Sequence, residues 1–236
     1  MQRFKVLIVA TCVSILAAGP VLAKRPTLGV TEFKNETSAG WWHGSVGWEL
    51  SGMLANELAS TGEFRVLERN KLESVLAEQD LGASGRVRQS TAAKIGKLTG
   101  AQYLIMGTVT SFEENTADTG GGISFGGFSI GGKKQDAYIA IDIRVVDSNT
   151  GEIDFARTVE GRSKSSGIRF GVNKGGFGGD LASQNKTPTG KAIRAAVMET
   201  TDYLACVMVY KDECRDDYRA KERHRRKRTK GSIDLD

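Results

Sequence analysis

Two glycine-rich segments beside a strictly alternating strand pair constrain the fold of this chain most strongly. Residues 120–132 contain seven glycines in thirteen positions, and residues 167–179 contain six in thirteen. Between them, apolar residues alternate with polar or small ones on both sides of a turn at residues 147–151: Ile139, Ile141, Ile143, Val145, Ile153, Phe155 and Val159. This period of two predicts an antiparallel β-hairpin, and each glycine-rich segment lies beside one of its arms.

Three apolar runs earlier in the chain predict further strands. Residues 27–33, 64–67 and 103–109 are short, apolar and bounded by polar loops or glycine. Helical patterns lie between these runs and again near the C-terminal end. This mixed order predicts the α+β class, with a mixed sheet and flanking helices.

Four helices are predicted from apolar residues at helical spacing and from capping residues. The expected caps are Ser45, Asn70, Ser90 and Thr187, with Gly62 and Gly100 as the stops of the first and third helices. The third helix would carry Ile95 and Leu98 on one face. Pro188 stands at the first position of the last helix, where its missing N–H costs nothing.

The glycine-rich segments allow two interpretations. Their apolar residues share parity in short runs, which is the weak pattern of transmembrane β-strands with an apolar side toward lipid. The lipid-facing candidates are Ile123, Phe125, Phe128, Ile130, Ile168, Phe170, Val172 and Phe177. The alternative is a pair of flexible surface loops. From the residues alone the loops are favoured, because glycine weakens strands and the parity slips between Phe125 and Phe128.

The N-terminal residues predict a secretory signal peptide over residues 1–23. Arg3 and Lys5 precede an apolar run from residue 6 to residue 18, and a break at residues 19–20 leads to small residues ending at Ala23. The apolar run is too short for a typical spanning helix. An uncut N-terminal membrane anchor is the alternative.

Composition and spacing argue against three classes of function. The net charge of +5 arises in residues 211–230, which hold ten Lys/Arg and five Asp/Glu, so a nucleic-acid-binding face is not expected. Three cysteines and two histidines without a C-x-x-C spacing do not form a zinc module. His43 has no nucleophile and carboxylate in triad order, and residues 123–130 lack the lysine of a phosphate-binding loop. No enzyme activity and no cofactor are expected.

The C-terminal residues 210–236 form a strongly charged tail, for which a solvated extension is favoured over a segment that contacts anionic lipid headgroups or an acidic partner. Cys206 and Cys214 would lie roughly 12 Å apart on one unbroken helix, beyond the ~7 Å limit for a disulfide. A bond between them requires the last helix to end near Tyr210. Cys206 is favoured as a small core residue, and Cys214 is a candidate for pairing between subunits.

Several segments, in order, resemble the curli secretion channel (CsgG) family. They are residues 29–37, 64–72, 100–109 and 144–147, followed by Thr150-Gly151-Glu152. The resemblance covers the chain from about Thr27 to Val209, so residues 24–209 are identified as a CsgG-like domain. Each motif alone is weak, whereas their order and spacing together are specific.

The resemblance implies an oligomeric outer-membrane channel. In that family a periplasmic α/β domain forms a ring, and two hairpins from each subunit build one shared β-barrel through which unfolded polypeptide is exported. The corresponding segments here are about 112–146 and 153–186, and the implied location is the periplasmic space and outer membrane. The alternative is a soluble periplasmic scaffold or regulator without a pore. Basic residues near the hairpins weigh against simple insertion: Lys133, Lys134, Arg162, Lys164, Arg169 and Lys174.

The resemblance also implies a pore constriction in the loop after the first strand. The matching residues are 38–44, in which Trp41, Trp42 and His43 stand where the family usually has tyrosine, asparagine and phenylalanine. A ring of aromatic side chains would surround a moving extended chain without sequence preference. The alternative is that Trp41 or Trp42 packs against the following helix as part of the core. Family members usually carry a lipidated cysteine at the start of the mature chain, whereas the expected start here is Lys24.

Overall fold

The computed structural model describes residues 25–125, 128–170 and 187–233. The expected signal peptide therefore lies outside the described residues. The same is true of two lipid-facing candidates, Val172 and Phe177.

A mixed sheet forms the centre of the protein. Its strands are β1 (Thr27–Val30), β2 (Lys34–Asn35), β3 (Arg65–Leu67), β4 (Tyr103–Phe125), β5 (Phe128–Asp147) and β6 (Ile153–Phe170). The strand order is β3-β1-β4-β5-β6, and β2 pairs with β4 beyond the end of β1. The first three strands in this order are parallel, and β4, β5 and β6 are antiparallel. The predicted α+β class with a mixed sheet is confirmed.

Helices flank this sheet. They are α1 (Val46–Ser60), α2 (Leu72–Ala83), α3 (Pro188–Leu204), a π-helical turn (Ala205–Tyr210) and α4 (Cys214–Ser232). Helix α3 packs on β5 and β6, and α1 packs on β1, β3 and α3. The alternating residues of the predicted hairpin supply much of the core under these helices, since Ile139, Ile141, Ile143 and Val145 are all at most 1% exposed.

Two of the predicted capping residues, Thr187 and Ser45, stand at the cap positions of their helices, and a third, Asn70, lies one residue before the cap position. The Thr187 hydroxyl accepts a hydrogen bond of 3.1 Å from the backbone N–H of Gly190, as expected for a cap. Ser45 precedes α1, but its hydroxyl donates to Glu49 instead of capping a backbone N–H. Asn70 does not cap α2, because its amide donates to the carbonyl of Trp48 and Lys71 stands at the cap position.

The helix predicted after Ser90 is wrong. Residues 84–100 contain turns and irregular backbone, and Gly96 has a φ of +77° in the left-handed region, which interrupts a right-handed helix. The apolar residues that suggested a buried face, Ile95 and Leu98, are 64% and 47% exposed. Ile95 and Leu98 have the spacing of a helix face, but no other element in the described part of the chain packs over them.

A close approach between α3 and β6 depends on glycine. A Cβ atom added at Gly161 would collide with the carbonyl oxygen of Ala192 and would also lie 2.9 Å from the backbone nitrogen of Ala196. Small residues on the facing side of α3, including Ala192 and Ala196, complete this contact. The helix backbone therefore lies almost directly on the strand.

Strands β4 and β5 extend well beyond the part of the sheet that the helices cover. Their antiparallel register continues from Glu113 opposite Tyr138 to Phe125 opposite Phe128, with an irregularity between Thr119 and Ile123. The first glycine-rich segment is therefore a hairpin of paired strands, and its interpretation as a flexible loop is wrong for the described residues. Of the second segment, residues 167–170 belong to β6 and the remainder lies outside the described residues.

The C-terminal residues 214–232 form a helix that docks on the domain through the buried Tyr218, so the frayed extension favoured from sequence is wrong, whereas most side chains of the helix are exposed to solvent as expected. Lys211 has a φ of 57°, which ends the π-helical turn directly after Tyr210 and reverses the chain. This break brings the Cα atoms of Cys206 and Cys214 to 5.9 Å, and the two cysteines form a disulfide within the chain. Cys206 is buried as expected, and the helix end near Tyr210 that an intrachain bond requires is present. Because Cys214 is bonded to Cys206, it is not available for the pairing between subunits for which it was a candidate.

Candidate functional site

The loop that carries the paired tryptophans is fixed at its first residues by hydrogen bonds. The Asn35 Oδ1 atom accepts from the backbone N–H of Thr37 at 2.9 Å and from its hydroxyl at 2.7 Å. The backbone N–H of Glu36 donates to the carbonyl of Val109 on β4 at 2.9 Å. The loop therefore begins at a fixed point on the β4 edge.

A short turn holds the tryptophans against the same edge. The N–H of Trp42 donates to the carbonyl of Ala39 at 3.0 Å, and the N–H of Val46 donates to the carbonyl of His43 at 2.9 Å at the start of α1. The Trp41 ring lies edge-on to Phe112 with 5.4 Å between ring centres, and 5.6 Å from the Trp42 ring. Both tryptophans are half-buried, whereas His43 is exposed.

The Trp41 indole N–H is buried and has no hydrogen-bond acceptor in the described part of the chain. Buried donors in native proteins normally have a partner from protein or water. Because the Trp41 N–H lacks such a partner among the described residues, the contacts that hold this ring are the aromatic ones with Phe112 and Trp42.

The tryptophan pair lies at the base of the extended hairpin. Strand β2 ends where Asn35 pairs with Val109, and Phe112 follows three residues later on β4. From this level onward, β5 is the partner of β4 among the described residues. The loop therefore marks the transition from the helix-covered sheet to the extended strands.

A second site joins α4 to the sheet through Arg157. The Arg157 guanidinium carbon lies 5.2 Å from the ring centre of Tyr203 on α3 and 4.9 Å from that of Tyr218 on α4. Its Nη1 atom donates to the Tyr218 carbonyl at 2.9 Å. The two tyrosine rings meet edge-on at 5.2 Å, so one cation and two rings connect three elements.

The electrostatics of this junction favour a neutral tyrosine. Burial, followed by the carboxylates of Glu199 and Asp202, raises the pKa of Tyr218 to about 12. A hydrogen bond from Arg225 lowers the pKa of Glu222 below its ordinary value. Two ion pairs also join α4 to the domain: Lys221 with Glu199 at 2.9 Å, and Arg228 with Glu160 at 2.9 Å.

Comparison with known proteins identifies the family. Residues 9–233 match the family model described as curli production assembly/transport component CsgG. The chain belongs to the CsgG family. The resemblance inferred from sequence motifs is thereby confirmed.

Curated relatives match part of this CsgG-family chain. A putative lipoprotein of Neisseria meningitidis serogroup B is 32% identical over 159 residues, covering 67% of this chain and 63% of the relative. The curli production assembly/transport component CsgG of Escherichia coli K12 is 29% identical over 107 residues, covering 44% of this chain and 39% of the relative. The chain thus spans less than two thirds of the length of either relative.

Solved structures resemble the CsgG-family chain only distantly. The PelC dodecamer from Paraburkholderia phytofirmans is 15% identical, with 78% of this chain and 91% of that chain covered and a TM-score of 0.33. Lipoprotein GNA1162 from Neisseria meningitidis is 19% identical, with coverages of 59% and 84% and a TM-score of 0.32. Superpositions at this level carry no argument about function.

The structure brings some of the predicted site residues of this CsgG-family member together. Trp41 and Trp42 contact each other, and the packing partner of Trp41 is Phe112 on β4, which was not identified from sequence because it lies 71 positions away along the chain. The backbone register sets Ile123 opposite Ile130 and Phe125 opposite Phe128. It also sets Phe170 opposite Ile130 and Ile168 opposite Gly132.

The described residues hold one group of side chains with the spacing of metal ligands. It consists of Cys206, Asp212 and Cys214, and its two sulfur atoms are bonded to each other in the disulfide. Thiolate coordination of zinc is therefore not available to this group in the oxidised protein. Among the same residues, no helix has the length and apolar character needed to cross a bilayer.

Proposed function

We propose that this protein is one subunit of an oligomeric outer-membrane channel that exports unfolded polypeptide from the periplasm. The observation that carries the proposal is the β4–β5 hairpin, whose paired strands continue beyond the helix-covered sheet in a chain of the CsgG family. The family description as an assembly/transport component supports transport, and we assign the protein no catalytic role.

The length of the hairpin supports membrane insertion. Beyond Glu114, strand β4 continues for eleven residues to Phe125. A tilted transmembrane β-strand requires about 9–11 residues. Strand β5 returns from Phe128 along the same register, and β6 pairs with β5 as far as Ile130. In this proposal the candidates Ile123, Phe125, Phe128, Ile130, Ile168 and Phe170 belong to the membrane-inserted strands.

The strand edges support a ring of subunits. Beyond Val109, β4 has one partner among the described strands, and β6 is the last strand of the sheet in the same part of the chain. Such edges are unfavourable in lipid because their N–H and C=O groups have no water to bond. Copies of the chain that join β4 of one subunit to the second hairpin of the next would pair both edges in a closed barrel.

The location follows from the same proposal. A signal peptide over residues 1–23 would deliver the chain to the periplasm, and the CsgG-like domain over residues 24–209 would remain there while its hairpins enter the outer membrane. The exported partner would be an unfolded protein, and nucleic acid is not expected as a partner. The helix formed by the C-terminal segment is then a periplasmic element of each subunit.

We assign the constriction of the channel to Trp41, Trp42 and His43. Their loop is attached to the β4 edge at Val109 and contacts Phe112, at the base of the extended strands. In a ring, this position would recur once per subunit at the entrance to the barrel. The exposed His43 and the half-buried Trp42 would face the passage, while Trp41 would position them through Phe112.

A soluble periplasmic scaffold is the second candidate function, and the charges in the hairpin register favour it. Lys133 pairs in register with Asp118, and Lys164 pairs with Asp136. A charge that faces lipid near the bilayer centre costs roughly 2–4 kcal/mol. In the channel these charged pairs must lie in the lumen or at the interface, whereas a scaffold would carry them in water without cost.

The channel proposal is tested by purifying the protein from membranes in detergent. Ring-shaped particles in electron microscopy and single-channel current in planar bilayers from the same sample are expected. The variant Ile123→Asp/Ile130→Asp should lose the current, while Ile153→Asp, at an exposed position at the opposite end of the strands, should retain it. A protein that is released by carbonate and sediments as a monomer would instead support the scaffold.

A further inference from the structure

The C-terminal half of α4 carries cations that the protein does not neutralise. Six basic residues lie in this half: Arg223, Arg225, Arg226, Lys227, Arg228 and Lys230. Arg225 pairs with Glu222 and Arg228 pairs with Glu160. The remaining four are exposed and form no hydrogen bond and no ion pair within 4 Å among the described residues, although Arg226 lies close enough to Glu222 to help lower the pKa of that carboxyl. We call Arg223, Arg226, Lys227 and Lys230 the basic stripe.

Helical spacing places three residues of the basic stripe along one exposed line of α4, and the fourth, Arg226, lies one turn after Glu222. Arg223, Lys227 and Lys230 follow one another at intervals of four and three residues, which sets them on one line of the helix surface. Tyr218 and Glu222 lie on the side that contacts the domain. One turn before Arg223 on the same line, Arg219 forms an ion pair with Asp216 at 2.7 Å, so the excess charge begins with Arg223.

The direction of α4 brings the basic stripe toward the extended strands. The Tyr218 carbonyl accepts from Arg157 on β6, and Arg228 pairs with Glu160, three residues further along the same strand. Helix α4 therefore runs alongside β6 toward its hairpin end. Over the four residues from Arg228 to Ser232, α4 rises only about 6 Å, whereas β6 rises about 13 Å over the four residues from Glu160 to Lys164. Helix α4 therefore ends before the strand reaches the level of Lys164.

This level coincides with the end of the helix cover on the sheet. Helix α3 begins at Pro188, and its Ala192 lies over Gly161 of β6. Strand β6 continues beyond this point to Phe170 with β5 as its partner. The end of α4 thus lies near the point where the strands leave the helix-covered domain.

We propose that the basic stripe contacts the anionic phosphate headgroups of the membrane that the hairpins enter. The inference rests on the proposed function, because insertion of the hairpins is what brings the end of α4 to the bilayer surface. A row of exposed cations needs no complementary pocket to bind a plane of anionic headgroups. Each Lys or Arg at such a surface strengthens binding by about fivefold, and salt weakens the attraction.

The test compares three forms of the full chain. The stripe variant is Arg223→Gln/Arg226→Gln/Lys227→Gln/Lys230→Gln. The control removes the same number of charges from the exposed segment that precedes β4, at the opposite end of that strand: Arg86→Gln/Arg88→Gln/Lys94→Gln/Lys97→Gln. Each form is mixed with vesicles of phosphatidylcholine alone and vesicles that also contain phosphatidylglycerol, at low and high ionic strength, and bound protein is measured by flotation.

The wild type and the control should prefer the anionic vesicles at low ionic strength and lose much of that preference at high ionic strength. The stripe variant should lose the preference by several hundredfold, as four cations at about fivefold each imply. Thermal unfolding monitored by circular dichroism should be unchanged, because the four side chains face solvent. A stripe variant that retains the preference, or a control that loses it equally, overturns the proposal.

Two further measurements separate this inference from the channel proposal and from an acidic protein partner. Planar-bilayer current is recorded on the same preparations. Current in all three forms together with no vesicle preference overturns the basic stripe alone, whereas a stripe-dependent preference without current supports the basic stripe and contradicts the channel. Retention of polyglutamate that depends on the stripe, with unchanged vesicle binding, overturns the headgroup assignment in favour of an acidic polypeptide.

Discussion

Arg157 holds the C-terminal helix by donating a hydrogen bond of 2.9 Å to the carbonyl of Tyr218 while its guanidinium lies 4.9 Å from the centre of the same residue's ring. The second ring over this cation belongs to Tyr203 on α3. One side chain on β6 therefore connects the strand with two helices. The Arg157 Nε atom is buried without a partner in the described part of the chain, so the guanidinium depends on these contacts.

Replacement of Arg157 by glutamine should release α4 from the sheet. The substitution removes the contacts with both rings and the hydrogen bond to Tyr218, which together should cost about 2–3 kcal/mol of unfolding free energy. Limited trypsin digestion should then cut within α4 faster than in the wild type. Arg144→Gln on the exposed side of β5 is the matched control and should leave both the digestion rate and the urea midpoint unchanged.

The disulfide should contribute to the same docking. It closes a short loop over a sequence separation of eight residues, for which the chain-entropy model gives about 2.5 kcal/mol. Cys206→Ala/Cys214→Ala should lower the urea midpoint and expose α4 to trypsin. Reducing agent should have the same effect on the wild type and none on the double variant. Equal midpoints for the oxidised and reduced wild type would contradict a stabilising role.

The sequence predicted the central strands well because the residues that specify them are close neighbours along the chain. The alternation from Ile139 to Val145 places every second side chain on one face, and the structure buries all four of these residues. The cap at Thr187 was equally readable, since its partner Gly190 is three residues away. Such features need no knowledge of the remainder of the fold.

The features that were missed depend on distant or unusual partners. The helix expected over residues 90–100 had the correct spacing, but Gly96 adopts a left-handed conformation and Ile95 has no covering surface among the described residues. The disulfide required the left-handed Lys211, a conformation that a lysine does not signal in sequence. Docking of α4 depends on Arg157 and Tyr218, which are 61 positions apart.

The stability of the α4 junction should fall at high pH. Burial raises the pKa of Tyr218 to about 12, above the value near 10 in the unfolded chain. A raised pKa in the folded state means that stabilisation is complete below the unfolded value and is lost as the pH rises from about 10 toward 12. The urea midpoint of the wild type should therefore decrease through this window.

Tyr218→Phe separates this tyrosine from the others. It keeps the ring beside Arg157 and removes the ionisable hydroxyl, so the decrease of the urea midpoint should be smaller in the variant. Burial also raises the pKa values of Tyr203 and Tyr138, so part of the decrease should remain. Identical pH profiles for the variant and the wild type would show that Tyr218 titrates without effect on stability.

The contact between α3 and β6 should not tolerate an added methyl group. A Cβ at Gly161 would meet the backbone of Ala192 and Ala196, which cannot move without shifting the helix. Gly161→Ala should therefore destabilise the protein by about 1–3 kcal/mol, measured by urea unfolding. Gly100→Ala adds the same methyl group where no other atom lies within 4 Å, and should change the midpoint little.

The paired tryptophans should set the conductance if their loop lines the constriction. Trp41→Ala/Trp42→Ala removes the ring that packs on Phe112 of β4 and the second ring beside it, so the single-channel current in planar bilayers should increase. Phe112→Leu serves as the control, because it weakens the packing of Trp41 while leaving both indole rings present, and it should change the current less. The loss of aromatic contacts should lower the unfolding free energy by about 1–3 kcal/mol in the double variant, which requires the current to be measured on rings verified by electron microscopy. Rings that assemble normally and conduct as the wild type does would remove Trp41 and Trp42 from the constriction and leave them as packing residues of the hairpin base.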